Sequence, residues 1–151
     1  MGAVHNRGEQ VNTERIAELQ RIADRNNGLL LPEEVVKAAK SPKSALHTCF
    51  EWDNTKAAQA HRLWQARQLI SVTVNYLNNT KETVPMFVSL SSDREKGGGY
   101  RTLVSVLSDD EQRKQLLEDA YEDMQTFKRK YKRLEELTEV FEAMEAVGAA
   151  V

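Results

Sequence analysis

The residues best suited to chemistry in this chain lie between Lys40 and Arg62, in "KSPKSALHTCFEWDNTKAAQAHR". A helix that reads DNA needs short polar or basic side chains on its outward face, so that it can sit deep in a major groove roughly 12 Å wide. Lys43, Ser44, His47 and Thr48 meet that need. Lys37, Lys40, Lys56 and Arg62 stand nearby as cations for phosphates, which fix register while base contacts carry sequence. The blander account of the same residues is a corner of three short helices whose polar face meets only solvent.

Other chemistries fit less well. His47 and Cys49 are two apart, with Glu51 and His61 close by. On a helix, positions i and i+2 point about 200° apart and do not share a tetrahedral ion. One cysteine also falls short of the paired ligands of a zinc site, and Cys49 reads as a small buried apolar residue. "GGG" at 97–99 is not a phosphate loop, because no Lys-Ser or Lys-Thr follows it. Asp109 and Asp110 open a helix, where carboxylates serve the dipole. No nucleophile elbow or paired zinc motif occurs. A non-enzymatic protein without metal or cofactor is expected.

The bulk numbers agree with a small folded protein. A chain of 151 residues, 40% apolar and 29% charged, is long enough to bury a core without disulfides. A formal net charge of −2 argues against coating nucleic acid by charge alone. The single cysteine suits a reducing, cytoplasmic setting. The first residues carry neither a signal-peptide core nor the myristoylation pattern, and no apolar run approaches a membrane span.

The elements that position these residues follow from periodicity. Residues 1–12 are polar and unpatterned, which predicts a disordered arm. Thr13 caps a first helix through Ile16, Leu19, Ile22 and Ala23, stopped by "DRNNG". Pro32, Glu33 and Glu34 open a second helix, "SPKS" breaks it, and a short helix follows through Ala45, Leu46 and Phe50. After Asp53 as cap comes a helix with Leu63, Trp64, Arg67 and Ile70 on one face. "ISVTVNYL" and "VPMFVSL" alternate as the strands of a β-hairpin. "SSDREKGGG" (91–99) reads as a linker. "YRTLVSVL" is a third strand or the lead-in to the last helix, which "SDDE" at 108–111 opens as a capping box.

From Asp109 to Val147 no Gly or Pro interrupts, and Leu117, Ala120, Met124, Phe127, Tyr131, Leu134 and Phe141 recur by threes and fours. This stripe makes Leu117, Met124, Phe127, Tyr131, Leu134 and Phe141 the candidate oligomerisation residues, the helix running straight or folding back near 128–133. Its basic cluster "KRKYKR" (128–133) is flanked by Glu118, Asp119, Glu122 and Asp123 on one side and by Glu135, Glu136, Glu139 and Glu142 on the other. An antiparallel copy sets acid against base only in certain registers, which suits partner choice in a bundle.

"AAKSPKSALHTCF" resembles, without a gap, the turn and recognition helix of TetR-like repressors, over residues 13–56. The resemblance implies that Ala38 and Ala39 close the first helix of the motif and that Leu46 and Phe50 face the core. It departs at Lys40, where the turn glycine belongs, at Pro42, and in the β-hairpin after residue 70. The longer stretch from Leu30 to Ile70 is similar to small phage and prophage proteins that also end in a long helix.

The expected molecule is α+β and mostly helical. A helix-turn-helix unit with a β-hairpin spans 13–90, a linker 91–99 and a helical assembly segment 100–151. The expected function is that of a phage- or prophage-type protein binding double-stranded DNA as a homo-oligomer, in the host cytoplasm and without a membrane partner. The alternative is a protein–protein adaptor or virion-associated structural protein. A contiguous positive face around Lys43 and His47 would favour DNA, and a mixed or apolar face a protein partner.

Overall fold

The computed structural model describes residues 3–52, 55–76 and 82–150. Helix α1 (Ala3–Arg25) begins ten residues before Thr13, so the segment read as a disordered arm is helical from Ala3. Thr13 is not its cap; its hydroxyl donates to the Glu9 carbonyl one turn back, at 2.9 Å. The stop falls where the sequence placed it. Asn27 and Gly28 take positive φ, and the Gly28 N–H returns to the Ala23 carbonyl at 2.8 Å, closing the helix end with a left-handed turn. Helix α2 (Pro32–Ala39) has Pro32 in its first turn with Glu33 and Glu34, where a missing N–H costs nothing and the dipole favours anions.

The second helix of the motif does not form. Residues 40–50 run through successive turns and a single 3-10 turn at His47–Cys49. Lys40 continues in helical geometry, and Pro42 lacks the N–H that a regular helix through this segment would use. Leu46 and Phe50 are nonetheless buried, as the resemblance implied, so this path is set by two apolar anchors rather than by helical hydrogen bonds.

Helix α3 (Lys56–Val72) is capped by Thr55, whose side chain accepts from Ala58 N–H; Asp53, the expected cap, lies outside the described residues. Its inward residues are Arg62, Ala66 and Ile70, while Trp64 is 54% exposed and Arg67 is exposed. The expected face through Leu63, Trp64 and Arg67 is therefore rotated by about one residue. The helix also runs through Val72 before strand β1 (Val74–Tyr76) begins. Ile70 and Val72 belong to both a helical and an alternating pattern, and the helix takes them.

Strand β1 pairs antiparallel with β2 (Thr83–Pro85), Val74 opposite Pro85, giving the expected hairpin in shortened form. A second antiparallel pair joins β3 (Phe87–Val88) to β4 (Arg101–Thr102). Beside it, Leu30 and Tyr100 exchange two backbone hydrogen bonds of 2.6 and 2.9 Å. Leu19, Ile22, Leu30, Val35, Leu46, Ile70 and Phe87 form one continuous core under these elements.

Residues 91–99 are not a linker. They form helix α4 (Ser91–Glu95) and a turn in which Gly97, Gly98 and Gly99 all take positive φ. Gly99 is needed for space as well, since a Cβ there would meet Leu29 Cδ1 at 2.6 Å. Asp93 is buried and grips Arg101 of β4 through two hydrogen bonds, Nε to Oδ2 and Nη2 to Oδ1, each 2.8 Å.

Beyond β4, Thr102 caps helix α5 (Leu103–Ser108). Helix α6 (Asp110–Tyr131) is capped by Asp109, which accepts from Gln112 N–H at 2.8 Å. The cap thus sits one residue later than the Ser108 box, because Ser108 ends α5 and donates to the Val104 carbonyl. Helix α6 docks on α4 through Asp119, which receives Ser91 N–H at 2.9 Å, and through Gln115, which receives the Ser92 hydroxyl at 2.8 Å.

The C-terminal helix is broken rather than continuous. It stops at Tyr131, passes a 3-10 turn at Glu135–Leu137 and returns as α7 (Thr138–Gly148). Lys128 Nζ meets Glu145 at 2.8 Å across this hairpin. Gly148 lies directly against the Tyr121 ring, where any Cβ would collide.

Candidate functional site

Two surfaces stand out, the irregular segment 40–52 and the outer face of the α6–α7 hairpin. The first is assembled by α1. The Glu18 carboxylate, half-buried on α1, accepts the Ser44 hydroxyl at 2.6 Å and the Ala45 N–H at 2.8 Å. One turn earlier, Arg15 donates to the Ala45 carbonyl at 3.3 Å and to Thr48 Oγ1 at 3.2 Å. Outside its own turns, the segment thus finds backbone partners for Ala45 in these two side chains.

His47 is held from below. Its Nδ1 lies 2.8 Å from the Ala39 carbonyl, which only accepts, so this nitrogen carries a proton. The imidazole stacks on Trp52 at 5.1 Å between ring centres and 10° between planes. Trp52 Nε1 donates to the His47 carbonyl at 3.0 Å. The Arg62 guanidinium lies 5.5 Å from the Trp52 ring centre and donates to the Glu51 carbonyl at 3.3 Å. A cation over an indole face is a favourable arrangement. Arg62 is buried, so it serves this stack rather than an outside phosphate.

The structure therefore divides the expected DNA-binding set. Ser44, His47, Thr48 and Arg62 spend polar atoms on Glu18, Ala39, Arg15 and Glu51; Ser44 and His47 are half-buried and Arg62 is buried, while Thr48 stays exposed. Lys40 and Lys43 are exposed, with Lys37 beside them in a long 3.7 Å pair with Glu34. The side chain of Lys56 lies outside the described residues.

Glu18 was not singled out from the sequence, although it lies four residues before Ile22 on a helix meant to support the motif. Glu18→Gln keeps the shape and removes the charge that strengthens both hydrogen bonds. A loss of about 1–3 kcal/mol in urea unfolding is expected, with a weakened near-UV signal from Trp52. Unchanged unfolding would mean that Glu18 does not hold the loop.

The second surface belongs to α6, none of whose 22 residues is buried. Of the expected oligomerisation residues, Phe141 alone is buried; it meets Phe127 at 6.3 Å between ring centres, and Phe127 meets Tyr131 at 4.9 Å. Met124 and Tyr131 are half-buried. Leu117 and Leu134 are 45% and 48% exposed. Part of the stripe thus serves the chain's own hairpin, and the rest stays open.

Sequence reasoning missed the companions of that open part. Leu107 of α5 and Leu116 of α6 join Leu117 and Ala120 along a groove of about 500 Å³ edged by Arg113 and Lys114. On α7, Val140 and Val147 are also exposed. The spacing of Val140, Met144 and Val147 was a legible helical signal, left out of the expected stripe, which took only Phe141 from this stretch.

Among the described residues, no three His, Cys, Asp or Glu side chains converge as metal ligands, and no helix is long and apolar enough to cross a membrane. No protein-family model, curated protein or solved structure matches this chain.

Proposed function

We propose that this protein is a non-enzymatic protein–protein adaptor or structural protein that works through its helical hairpin, in the manner expected of a virion-associated component. One observation carries this reading: α6 has no buried residue of its own, and its apolar row leaves Leu117 and Phe127 exposed and Met124 and Tyr131 half-buried. Contiguous apolar surface rimmed by charge is a mark of protein interaction sites. The exposed Trp64, stacked on His61 at 5.5 Å, adds an aromatic of the kind that anchors interfaces.

DNA binding is the second reading, favoured by the adjacent exposed Lys40 and Lys43. It would rest on phosphate contacts, because Ser44, His47 and Thr48 already have partners within the chain. The deciding experiment is fluorescence anisotropy of labelled duplex DNA across a salt series. No binding is expected even at low salt. Binding with a steep salt slope, lost in the Lys40→Ala/Lys43→Ala variant, would overturn the adaptor reading.

A further inference from the structure

We infer that the partner of the open α6–α7 face is a second copy of this chain, docked antiparallel about a two-fold axis that passes between Gln125 and Thr126. This inference rests on the adaptor reading and names the partner of its principal surface.

The apolar row is symmetric in sequence. Leu117, Ala120, Met124, Phe127 and Tyr131 on α6, with Leu134 in the turn just past its end, are spaced three, four, three, four and three. Antiparallel alignment about the 125/126 midpoint sets Leu117 opposite the partner copy's Leu134, Ala120 opposite its Tyr131 and Met124 opposite its Phe127. Reversal returns the same pairs, as a two-fold interface requires: residue i meets j while j meets i. Leu134, exposed at the hairpin tip, arrives at the groove lined by Leu107, Leu116, Leu117 and Ala120.

The face is open to such a copy. Contacts to α7 are made from Tyr121, Gln125 and Lys128, and at the edge of the stripe from Phe127, whose ring also meets Phe141. At about 100° per residue, the stripe lies roughly a quarter turn away from the first three. Exposed Val140 and Val147 lie about a quarter turn from Phe141, Glu145 and Gly148, which face α6. With α7 antiparallel to α6, both apolar rows fall on one side of the hairpin. Two hairpins joined by that side make a four-helix bundle.

Charge selects the direction. Asp123 and Lys130 flank the stripe, and both are exposed. Antiparallel docking brings Asp123 of each copy beside Lys130 of the other, whereas parallel docking brings like charges together. This pair satisfies the register condition that the charge blocks impose; Glu118, Glu122 and Arg129 lie on the far side of α6, about half a turn from the stripe, and take no part.

The test is sedimentation equilibrium of the full chain across a micromolar-to-millimolar series, with circular dichroism to verify folding. The wild type should be a dimer. Leu117→Asp acts twice in a two-fold pair and should raise the dissociation constant about a hundredfold or more. Asp123→Lys should weaken the dimer, and Asp123→Lys/Lys130→Asp should restore it. For direction, chains carrying Leu117→Cys and Leu134→Cys, each with Cys49→Ser, are oxidised separately and mixed. A disulfide formed only in the mixture is expected. A wild-type monomer, cross-linking of Leu117→Cys with itself, or no rescue by the double reversal would each overturn the pairing. These outcomes are independent of the DNA titration, in which binding by an intact dimer would sink the adaptor reading alone.

Discussion

Leu46→Ala is expected to cost about 2–5 kcal/mol, the range for emptying a closed leucine site. Leu46 has no exposed surface and belongs to a segment with few other means of staying in place. From Lys40 to Phe50 the backbone makes short-range turn bonds, such as His47 N–H to the Ser44 carbonyl at 3.1 Å and Cys49 N–H to the Leu46 carbonyl at 2.9 Å, beside the bonds of Ala45 to Glu18 and Arg15. Withdrawing Leu46 also disturbs Ser44, Ala45 and His47, whose polar contacts depend on the same path. The measurement is urea unfolding at constant m, with Trp52 near-UV dichroism as a local reporter. Leu117→Ala is the contrast: at 45% exposure, it should change the stability of the isolated chain by a few tenths of a kcal/mol. Equal losses in the two variants would contradict this account of the core.

Asp93→Ala comes next, at about 2–4 kcal/mol. It strands the Arg101 guanidinium, part-buried with a 25% exposed side chain, by removing both of its carboxylate hydrogen bonds. It also loosens the α4 turn that positions Ser91 and Ser92 against α6. For a chain of this size each kcal/mol lowers the melting temperature by about 2–4 °C, so the scan reads the effect directly. Hydrogen bonding from Asp93 holds the Arg101 pKa above its ordinary value, against the lowering effect of burial. A cation whose folded pKa is raised contributes stability below its unfolded pKa and loses it as pH rises through the folded one. The contribution therefore persists through neutral pH and disappears only in strong alkali. Asp93→Asn, which keeps one acceptor, should fall between the two; a neutral Asp93→Ala would show that the pair does not hold α4 to β4.

The elements that local chemistry determines were legible. Pro32 with two glutamates opened α2, Asn27 and Gly28 closed α1, and Val74 to Tyr76 entered a hairpin. The α+β, mostly helical class follows from these. What the sequence hid was tertiary. Nothing in "SSDREKGGG" reveals that Asp93 meets Arg101 eight residues later, so a clasp of charges and glycines read as a tether. The 70–76 segment carried two periods at once, and burial of Ile70 with Ala66 decided for the helix. The break in the last helix was legible in charge, although no Gly or Pro marks it. Lys128, Arg129 and Lys130 suit a helix C-terminus, and Glu135 and Glu136 suit the start of the next. In the 40–50 segment, residue types chosen by a DNA-reading helix are also those that bond to a neighbouring backbone in turns. Only the positions of Arg15 and Glu18 distinguish the two uses.

The bridge between Leu30 and Tyr100 has a consequence for how the chain is made. Leu30 is translated early, yet its N–H and carbonyl have no β partner until Tyr100 has left the ribosome, seventy residues later. Until then the core that α1, α2 and α3 share has the side of Leu30 uncovered. Closing so long a loop is entropically slow. The side of Leu30 is therefore closed late, once the glycine turn at 97–99 has brought Tyr100 back to it.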